Sequence, residues 1–144
     1  MAKGLEARLV SGQNKQFQML DRECGSKGVY GAYLKAGAED TVCLILQDGQ
    51  AVACGVFREV DEERAELTRL YVKPEFRRRG YARHLLDTLE TQAIFQGFGV
   101  LCAAVEKNSK ELQTLLRSME YQPEKAWKPA LQGVPFVVLG KQLF

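Results

Sequence analysis

Histidine is nearly absent from this sequence, and its few cysteines are not spaced as metal ligands usually are. The 144 residues include one histidine, His84, and four cysteines, none of them in a C-x-x-C pair. Cys43, Cys54 and Cys102 fall in apolar runs, where a free cysteine behaves as a small hydrophobic residue. We therefore expect reduced thiols, a cytoplasmic protein and no metal site.

The sequence also lacks a long apolar run and a strong excess of one charge. No stretch approaches the roughly 18 apolar residues of a membrane span, and the opening "MAKGLEARLV" lacks the apolar core of a signal peptide. The formal net charge of +2 gives no global attraction to nucleic acid or to a membrane, so we expect neither partner. The hydrophobic content of 46% suits one folded domain over residues 1–144.

Alternation, turn residues and helical periodicity together predict the order of the elements. Asp48-Gly49 lies between two β-rich runs and suits a type I′ hairpin turn. Asn108, with Glu111 three residues later, resembles a capping box at a helix start. The predicted elements are a strand at 5–10, a helical piece around 17–20, a hairpin over 41–57, a strand at 65–74, a helix from 82 to about 97, a strand at 99–105, a helix around 112–119 and a strand within 134–144. This order predicts an α/β fold with a mixed sheet.

The stretch "YVKPEFRRRGYARHLL", residues 71–86, is the one dense basic cluster. Pro74 ends a predicted strand, Gly80 allows close backbone approach, and a leucine-striped helix follows. The first N–H groups of a helix have no intrahelical partner and attract anions. No Walker P-loop or G-x-G-x-x-G motif is present. The residues alone leave two interpretations open, an anion site or a solvated run of charge.

Arg77-Arg78-Arg79-Gly80-Tyr81-Ala82 matches the [Q/R]-x-x-G-x-[G/A] signature of the GNAT superfamily of N-acetyltransferases. The longer stretch "AELTRLYVKPEFRRRGYARHLLDTLE" resembles that family's central strand, pyrophosphate loop and following helix. Lys141-Gln142-Leu143 is similar to the family's closing K-x-L. The resemblance covers residues 41–144. It implies the GNAT fold, a mostly antiparallel central sheet that is splayed at its middle strands and flanked by helices.

The resemblance implies acetyl-CoA as cosubstrate, with its pyrophosphate on the backbone amides from Arg78 through Arg83. It also implies that the pantetheine arm runs along the strand before the loop and meets the start of the second helix on its other side. The cofactor-binding residues expected on this basis are Leu70, Tyr71, Val72, Arg77, Arg78, Arg79, Gly80, Tyr81, Ala82, Arg83, Asn108 and Ser109. His84 lies beside the loop and is expected either to touch a phosphate or to be a solvated helix residue.

Glu66 occupies the strand position where many members of the family place a glutamate that acts as a base through water. Strand alternation places Glu66 on one face with Thr68, Leu70 and Val72, towards a substrate cleft. The alternatives are that Glu66 belongs to the solvated acidic hairpin of residues 59–66, or that it pairs with Arg64 or Arg69.

The sequence departs from the family where a tyrosine usually reprotonates the CoA thiolate. "LLRSMEY" places Leu116 there, and leucine cannot donate a proton. Tyr121, Ser109 or water would have to do so, and a thiol leaving group needs an acid least. We therefore expect an N-acetyltransferase that acts by direct attack in a ternary complex, or a non-catalytic acyl-CoA-binding module.

The resemblance implies a primary amine acceptor, either a small molecule or a peptide, for a monomer or homodimer. Tyr30, Tyr33 and Trp127 fall in segments that line the acceptor pocket in members of the family. Ordinary packing is the alternative for all three residues.

Overall fold

The computed structural model describes residues 4–30, 34–124 and 135–144. The elements are β1 (Leu5–Val10), α1 (Lys15–Glu23), β2 (Thr41–Gln47), β3 (Gln50–Glu59), β4 (Arg64–Val72), a 3-10 turn (Pro74–Phe76), α2 (Tyr81–Phe95), β5 (Val100–Glu106), α3 (Lys110–Ser118), β6 (Gln122–Pro123) and β7 (Phe136–Gln142). The predicted order of elements is confirmed, except that the two-residue strand β6 was not predicted. Two residues carry no readable alternation, so β6 leaves no signal in the sequence.

The strands form one seven-stranded sheet in the order β1-β2-β3-β4-β5-β7-β6. Only β4 and β5 pair in parallel, because α2 crosses between them, and the other neighbours are antiparallel. The predicted α/β fold with a mostly antiparallel mixed sheet is therefore confirmed. Asp48 and Gly49 both have positive φ, 51° and 84°, as a type I′ turn requires.

The sheet opens at its centre. β4 and β5 pair only where Arg64 to Glu66 lie beside Val100 to Cys102. Both strands continue past this point, β4 to Val72 and β5 to Glu106, without further ladder pairs between them. On the side of β5, the main chain of the last six residues of β4 therefore faces a gap instead of a neighbouring strand.

A β-bulge in β4 changes which side chains share a face. Val56 of β3 pairs with Arg69, but the next residue, Phe57, pairs with Leu67, so Thr68 is the extra residue. Leu67 lies in the same core cluster against which Leu70 packs. The predicted shared face of Glu66 with Leu70 and Val72 is therefore wrong, because the inserted residue reverses the alternation.

Among the described residues, the core has one cluster on each face of the sheet. On one face, α2 and α3 bury Leu85, Leu86, Leu89 and Leu116 against the strands. On the other face, α1 buries its own residues against β2 and β3, among them Phe17. Each such buried side chain contributes on the order of 1.5–3 kcal/mol. Three free thiols have no exposed surface, as predicted: Cys43, Cys54 and Cys102.

The start of α3 differs from the prediction. Ser109, not Asn108, is the N-cap, and its side chain makes no capping hydrogen bond. The Ser109 N–H donates to the Glu106 carbonyl and the Lys110 N–H to the Asn108 carbonyl, at 2.9 and 3.0 Å. This tight turn after β5 delays the helix by one residue, so the expected capping box with Glu111 does not form. None of the described helices is both long and apolar enough to cross a membrane.

Candidate functional site

A groove runs along the open edge of β4, between that strand and the start of α3. It consists of two adjoining cavities of about 540 Å³ each, with shared walls at Leu70, Tyr71, Arg77, Glu111 and Leu112. We call them the α2-side cavity, which reaches the start of α2, and the α1-side cavity, which reaches the segment after α1. The α2-side cavity is also lined by Val72, Phe76, Arg78, Gly80, Tyr81, Ala82, Arg83 and Leu115. The α1-side cavity is also lined by Cys24, Lys27, Gly28, Val29, Arg69, Glu106, Asn108, Ser109 and Lys110.

The N-terminus of α2 forms one end of the groove. Gly80 is the N-cap, with φ 81° and no side-chain capping hydrogen bond. Arg78, two residues earlier, is also left-handed at φ 65°. Such turns aim successive backbone N–H groups into one concavity, which binds anions. A Cβ built on Gly80 would meet no atom within 4 Å, so the space above these N–H groups is open.

The arginines of this loop do not all face the groove. Arg77 donates from Nε to the Val72 carbonyl at 2.9 Å, and its guanidinium lies 5.9 Å from the centre of the Tyr71 ring. Arg83 donates to the Ser118 hydroxyl at 2.9 Å. Arg79 instead donates to the Glu75 carbonyl and covers the Phe76 ring at 5.0 Å. Arg79 is therefore turned towards its own loop.

The open edge of β4 presents main-chain donors to the groove. The Lys73 N–H donates to the Val52 carbonyl of β3, at 2.9 Å, and alternate residues of a strand face the same side. The N–H groups of Leu70 and Val72 therefore face the gap, and Asn108 and Ser109 lie across the groove from them. Such donors serve a ligand with amide or carbonyl oxygens.

The far end of the gap is bridged by a residue from the segment after α1. The Val29 N–H donates to the Thr68 carbonyl of β4 at 2.9 Å. The Val29 carbonyl accepts from the Glu106 N–H of β5 at 3.1 Å. Val29 thus lies in the gap with a hydrogen bond to each of the two splayed strands. Sequence analysis did not single out Lys27, Gly28 or Val29, and no local pattern marks them.

The comparisons with known proteins agree with this geometry. The model of the family described as Acetyltransferase (GNAT) family matches residues 9–121, most of the chain. The chain belongs to the GNAT acetyltransferase family. No curated protein matches the chain at the level of sequence.

Solved structures share the fold of this GNAT chain at low sequence identity. A Klebsiella pneumoniae protein, proposed to be an acyl-CoA N-acyltransferase, is 21% identical with a TM-score of 0.80, over 97% of this chain and 98% of that one. A Salmonella typhimurium protein, proposed to be an acetyltransferase and solved with its cofactor acetyl-CoA, is 15% identical with a TM-score of 0.73. The match covers 99% of this chain and 95% of that one. A GNAT acetyltransferase from Elizabethkingia anophelis with acetyl-CoA bound is 12% identical with a TM-score of 0.68. The match covers 98% of this chain and 99% of that one.

Glu66 is buried and ion-paired in this GNAT chain. Its carboxylate accepts from Arg58 Nε at 2.9 Å, and its side chain is 4% exposed. The expected alternatives, a solvated hairpin position or pairing with Arg64 or Arg69, are wrong. Arg58 and Glu66 are direct cross-strand partners in β3 and β4, which the sequence could not indicate without the register.

The two arginines expected near Glu66 have other partners. Arg69 Nε donates to Asp21 Oδ1 of α1 at 2.6 Å, and Arg64 lies 3.9 Å from Glu124. Arg69 also donates from its second amino group to Asp21 and to the Leu34 carbonyl. Each pairing joins elements that are distant in sequence, so the sequence gives no local signal for it.

The structure does not bring Tyr121 to the groove. Its hydroxyl donates to Glu90 Oε2 at 2.8 Å in the core, and Glu90 also accepts from Lys141 at 2.8 Å. Burial, reinforced by the Glu90 carboxylate, raises the pKa of Tyr121 well above its ordinary value. Leu116 is fully buried in the core. Of the hydroxyl groups expected as proton donors, only that of Ser109 belongs to a residue lining the groove.

The two remaining candidates among the described residues, Tyr30 and His84, line neither cavity. Tyr30 is 3% exposed, and its ring lies against Gly28, where a Cβ would come within 2.8 Å of it. Burial raises the pKa of the Tyr30 hydroxyl. His84 is half-buried and lines neither cavity, and its Nε2 has no hydrogen-bond partner among the described residues. Tyr33 and Trp127 lie outside the described residues.

Proposed function

We propose that this GNAT chain transfers an acetyl group from acetyl-CoA to a primary amine, by direct attack in a ternary complex. The observation that carries this proposal is the continuity of the groove from the N-terminus of α2 to the open edge of β4. In acetyl-CoA an anionic pyrophosphate is followed by an amide-rich arm that ends in a thioester, and the groove offers donors in that order. Two solved structures of the same fold, from Salmonella typhimurium and Elizabethkingia anophelis, contain acetyl-CoA.

The N-terminal loop of α2 would hold the pyrophosphate. Backbone N–H groups from Arg78 through Arg83, rather than side chains alone, would donate to its oxygens, because the left-handed Gly80 opens the space above them. Arg77, Arg78 and Arg83 would add charge, since all three line the groove. Arg79 would contribute through its backbone, because its guanidinium is engaged with Glu75 and Phe76.

The edge of β4 would bind the arm and polarise the reacting carbonyl. Acetyl-CoA supplies an activated acetyl thioester. The N–H groups of Leu70 and Val72 face the gap, and one of them would donate to the oxygen on which negative charge grows during attack. Tyr71 would contribute the wall of the groove, and Asn108 and Ser109 would bound it on the opposite side.

Glu66 would accept the proton that the attacking amine loses, through an intervening water. The carboxylate is buried and held by Arg58, so a water chain rather than direct contact is required. Ser109 or water would return a proton to the sulfur. The acceptor is a small-molecule or peptide amine.

A specific observation favours a second function, a non-catalytic acyl-CoA-binding module. Leu116 occupies the position where the family usually has a tyrosine, and it is fully buried. The hydroxyl of the nearby Tyr121 donates to Glu90. A chain with neither hydroxyl free could retain the groove and lack turnover. Because a thiolate is a good leaving group, we favour the enzyme.

The test compares wild type with Gly80→Gln and Gly80→Glu. Both substitutions place a non-glycine residue at φ 81°, which costs about 1–2 kcal/mol, so they differ mainly in charge. Saturating CoA or acetyl-CoA should raise the melting temperature of wild type and, less strongly, of Gly80→Gln. Gly80→Glu should show no shift, because its carboxylate repels the pyrophosphate.

The same preparations are then screened with a panel of amines for thiol release from acetyl-CoA. Release with an amine supports the enzyme. A thermal shift without release from any amine supports the binding module. The absence of a shift in wild type with either cofactor would overturn the proposal.

A further inference from the structure

Val29 closes the gap between β4 and β5 at the end opposite the anion-binding loop. Its main chain bonds to Thr68 of one strand and to Glu106 of the other, at 2.9 and 3.1 Å. Thr68 lies four residues before Val72, roughly 13 Å along an extended strand. A ligand arm that enters beside α2 and follows β4 therefore reaches Val29 after passing Leu70.

The Val29 side chain lies on the groove side of the sheet. It is 9% exposed and belongs to the core cluster of α2 and α3, against which Leu70 and Leu112 also pack. All three residues line the α1-side cavity. The part of the wall that these three residues form is therefore aliphatic, and a polar group placed against it would lose its hydrogen bonds.

The backbone around Val29 fixes the position of this wall. A Cβ at Gly28 would come within 2.8 Å of the Tyr30 ring and 3.3 Å of the Thr68 carbonyl. The absence of a side chain at Gly28 thus lets the segment approach β4 closely. Since Val29 is held by two main-chain bonds, substitution of its side chain leaves both bonds available.

We propose that Val29 is a specificity-determining residue that limits the length of the acyl chain on the CoA donor, and that it restricts the donor to short acyl groups. This inference rests on the proposed function, because it assumes that the thioester lies along β4. The acyl group would point from the Leu70 edge towards the Val29 side chain. A longer chain would meet that side chain and a backbone tied to both strands.

The test measures the dissociation constants of CoA, acetyl-CoA, butyryl-CoA and hexanoyl-CoA by calorimetry. Wild type should bind acetyl-CoA more tightly than butyryl-CoA or hexanoyl-CoA. Val29→Ala should reduce the preference for acetyl-CoA over butyryl-CoA on the order of tenfold or more, the scale for one or two methylenes in an apolar pocket. Val29→Ile should weaken acetyl-CoA binding. Neither variant should change the affinity for CoA, which carries no acyl group.

Val42→Ala is the matched control. Val42 is a buried valine as well, but in the cluster on the opposite face of the sheet, so the same truncation leaves the groove intact. Its acyl-chain preference should equal that of wild type. If Val29→Ala fails to fold, Val29→Ile and the wild-type preference still decide the question.

The outcomes separate this inference from the proposed function. If wild type binds none of the four compounds, both the proposed function and this inference are wrong. Binding of CoA and acetyl-CoA with no chain-length preference would sink the inference alone. A preference that persists unchanged in Val29→Ala, or acetyl-CoA affinity unchanged in Val29→Ile, would also sink it.

Discussion

At the scale of single residues, Glu66 is a carboxylate held in place by its neighbour. Arg58 Nε donates to it at 2.9 Å, and only 4% of the Glu66 side chain is exposed. A buried carboxylate is costly unless paired, so this contact keeps the charge in position. The pairing holds Glu66 in one orientation, which a general base requires. In the proposed mechanism Glu66 reaches the amine only through water.

We expect Glu66→Gln to slow acetyl transfer without weakening acetyl-CoA binding. Glutamine keeps the size and can still accept from Arg58, but it takes up no proton at neutral pH. The turnover number should fall by roughly 10²–10⁴, the usual contribution of a positioned base. The measurement is kcat from thiol release, beside the dissociation constant for acetyl-CoA.

Glu62→Gln is the control for this prediction. Glu62 is exposed in the acidic hairpin between β3 and β4, so its loss changes the local charge equally but removes no positioned carboxylate. Equal effects of the two substitutions, or no effect of Glu66→Gln, would reject Glu66 as the base.

Single residues were predictable from the sequence where the determining interaction is local. Gly80 could be found because its left-handed turn, the preceding arginines and the following helix lie within ten residues. The Arg58–Glu66 pair could not, since it depends on the register of β3 against β4. Thr68 adds a bulge that reverses the side-chain alternation, and no residue type in this strand predicts such an insertion.

At the scale of elements, a buried ion pair joins α1 to β4. Arg69 is 1% exposed and donates to both carboxylate oxygens of Asp21, at 2.6 and 3.3 Å. It also donates to the Leu34 carbonyl, in the segment that leads to β2. The pair therefore fixes α1, and the segment that carries Val29, against the strand that lines the groove.

We expect Asp21→Asn to destabilise the fold by about 3–5 kcal/mol, because it leaves a buried guanidinium without its counter-charge. Urea unfolding followed by circular dichroism measures this change. Arg69→Met should cost less than Asp21→Asn, since it leaves unpaired the Asp21 carboxylate, whose side chain is 13% exposed, whereas Asp21→Asn leaves unpaired the Arg69 guanidinium, whose side chain is 1% exposed. In the double variant Asp21→Asn with Arg69→Met, the cost should be clearly smaller than the sum of the single costs. Additive costs would show that the two side chains do not act as a pair.

The elements themselves were more predictable than the way they pair. Hairpin β2–β3 and helix α2 follow from the Asp48-Gly49 turn and the leucine stripe, which are patterns within one segment. The exact start of α3 was missed by one residue, because the turn after β5 uses main-chain bonds that no side chain signals. The bridge by Val29 was missed because it joins three distant segments.

At the scale of the whole molecule, the core encloses thiols on both faces of the sheet. Cys43 belongs to the cluster beside α2 and Cys54 to the cluster beside α1, while Cys102 is buried in β5; none of the three has exposed surface. Burial raises the pKa of Cys43 to about 11 and raises the pKa values of Cys54 and Cys102 further. In the unfolded chain these thiols would titrate near their ordinary value of 9.0.

We expect the free energy of unfolding to decrease as the pH rises above about 9. Between that pH and the folded-state pKa, about 11 for Cys43, the native state retains thiol protons that the unfolded state has lost, so alkali favours unfolding. Each thiol contributes a slope of about 1.4 kcal/mol per pH unit within its window. Urea unfolding at pH 7.5 and pH 10 in the presence of a reductant measures the loss. The triple variant Cys43→Ala, Cys54→Ala, Cys102→Ala should show a much weaker dependence of its unfolding free energy on pH. An equal pH dependence in wild type and the variant would show that the three thiols do not cause it.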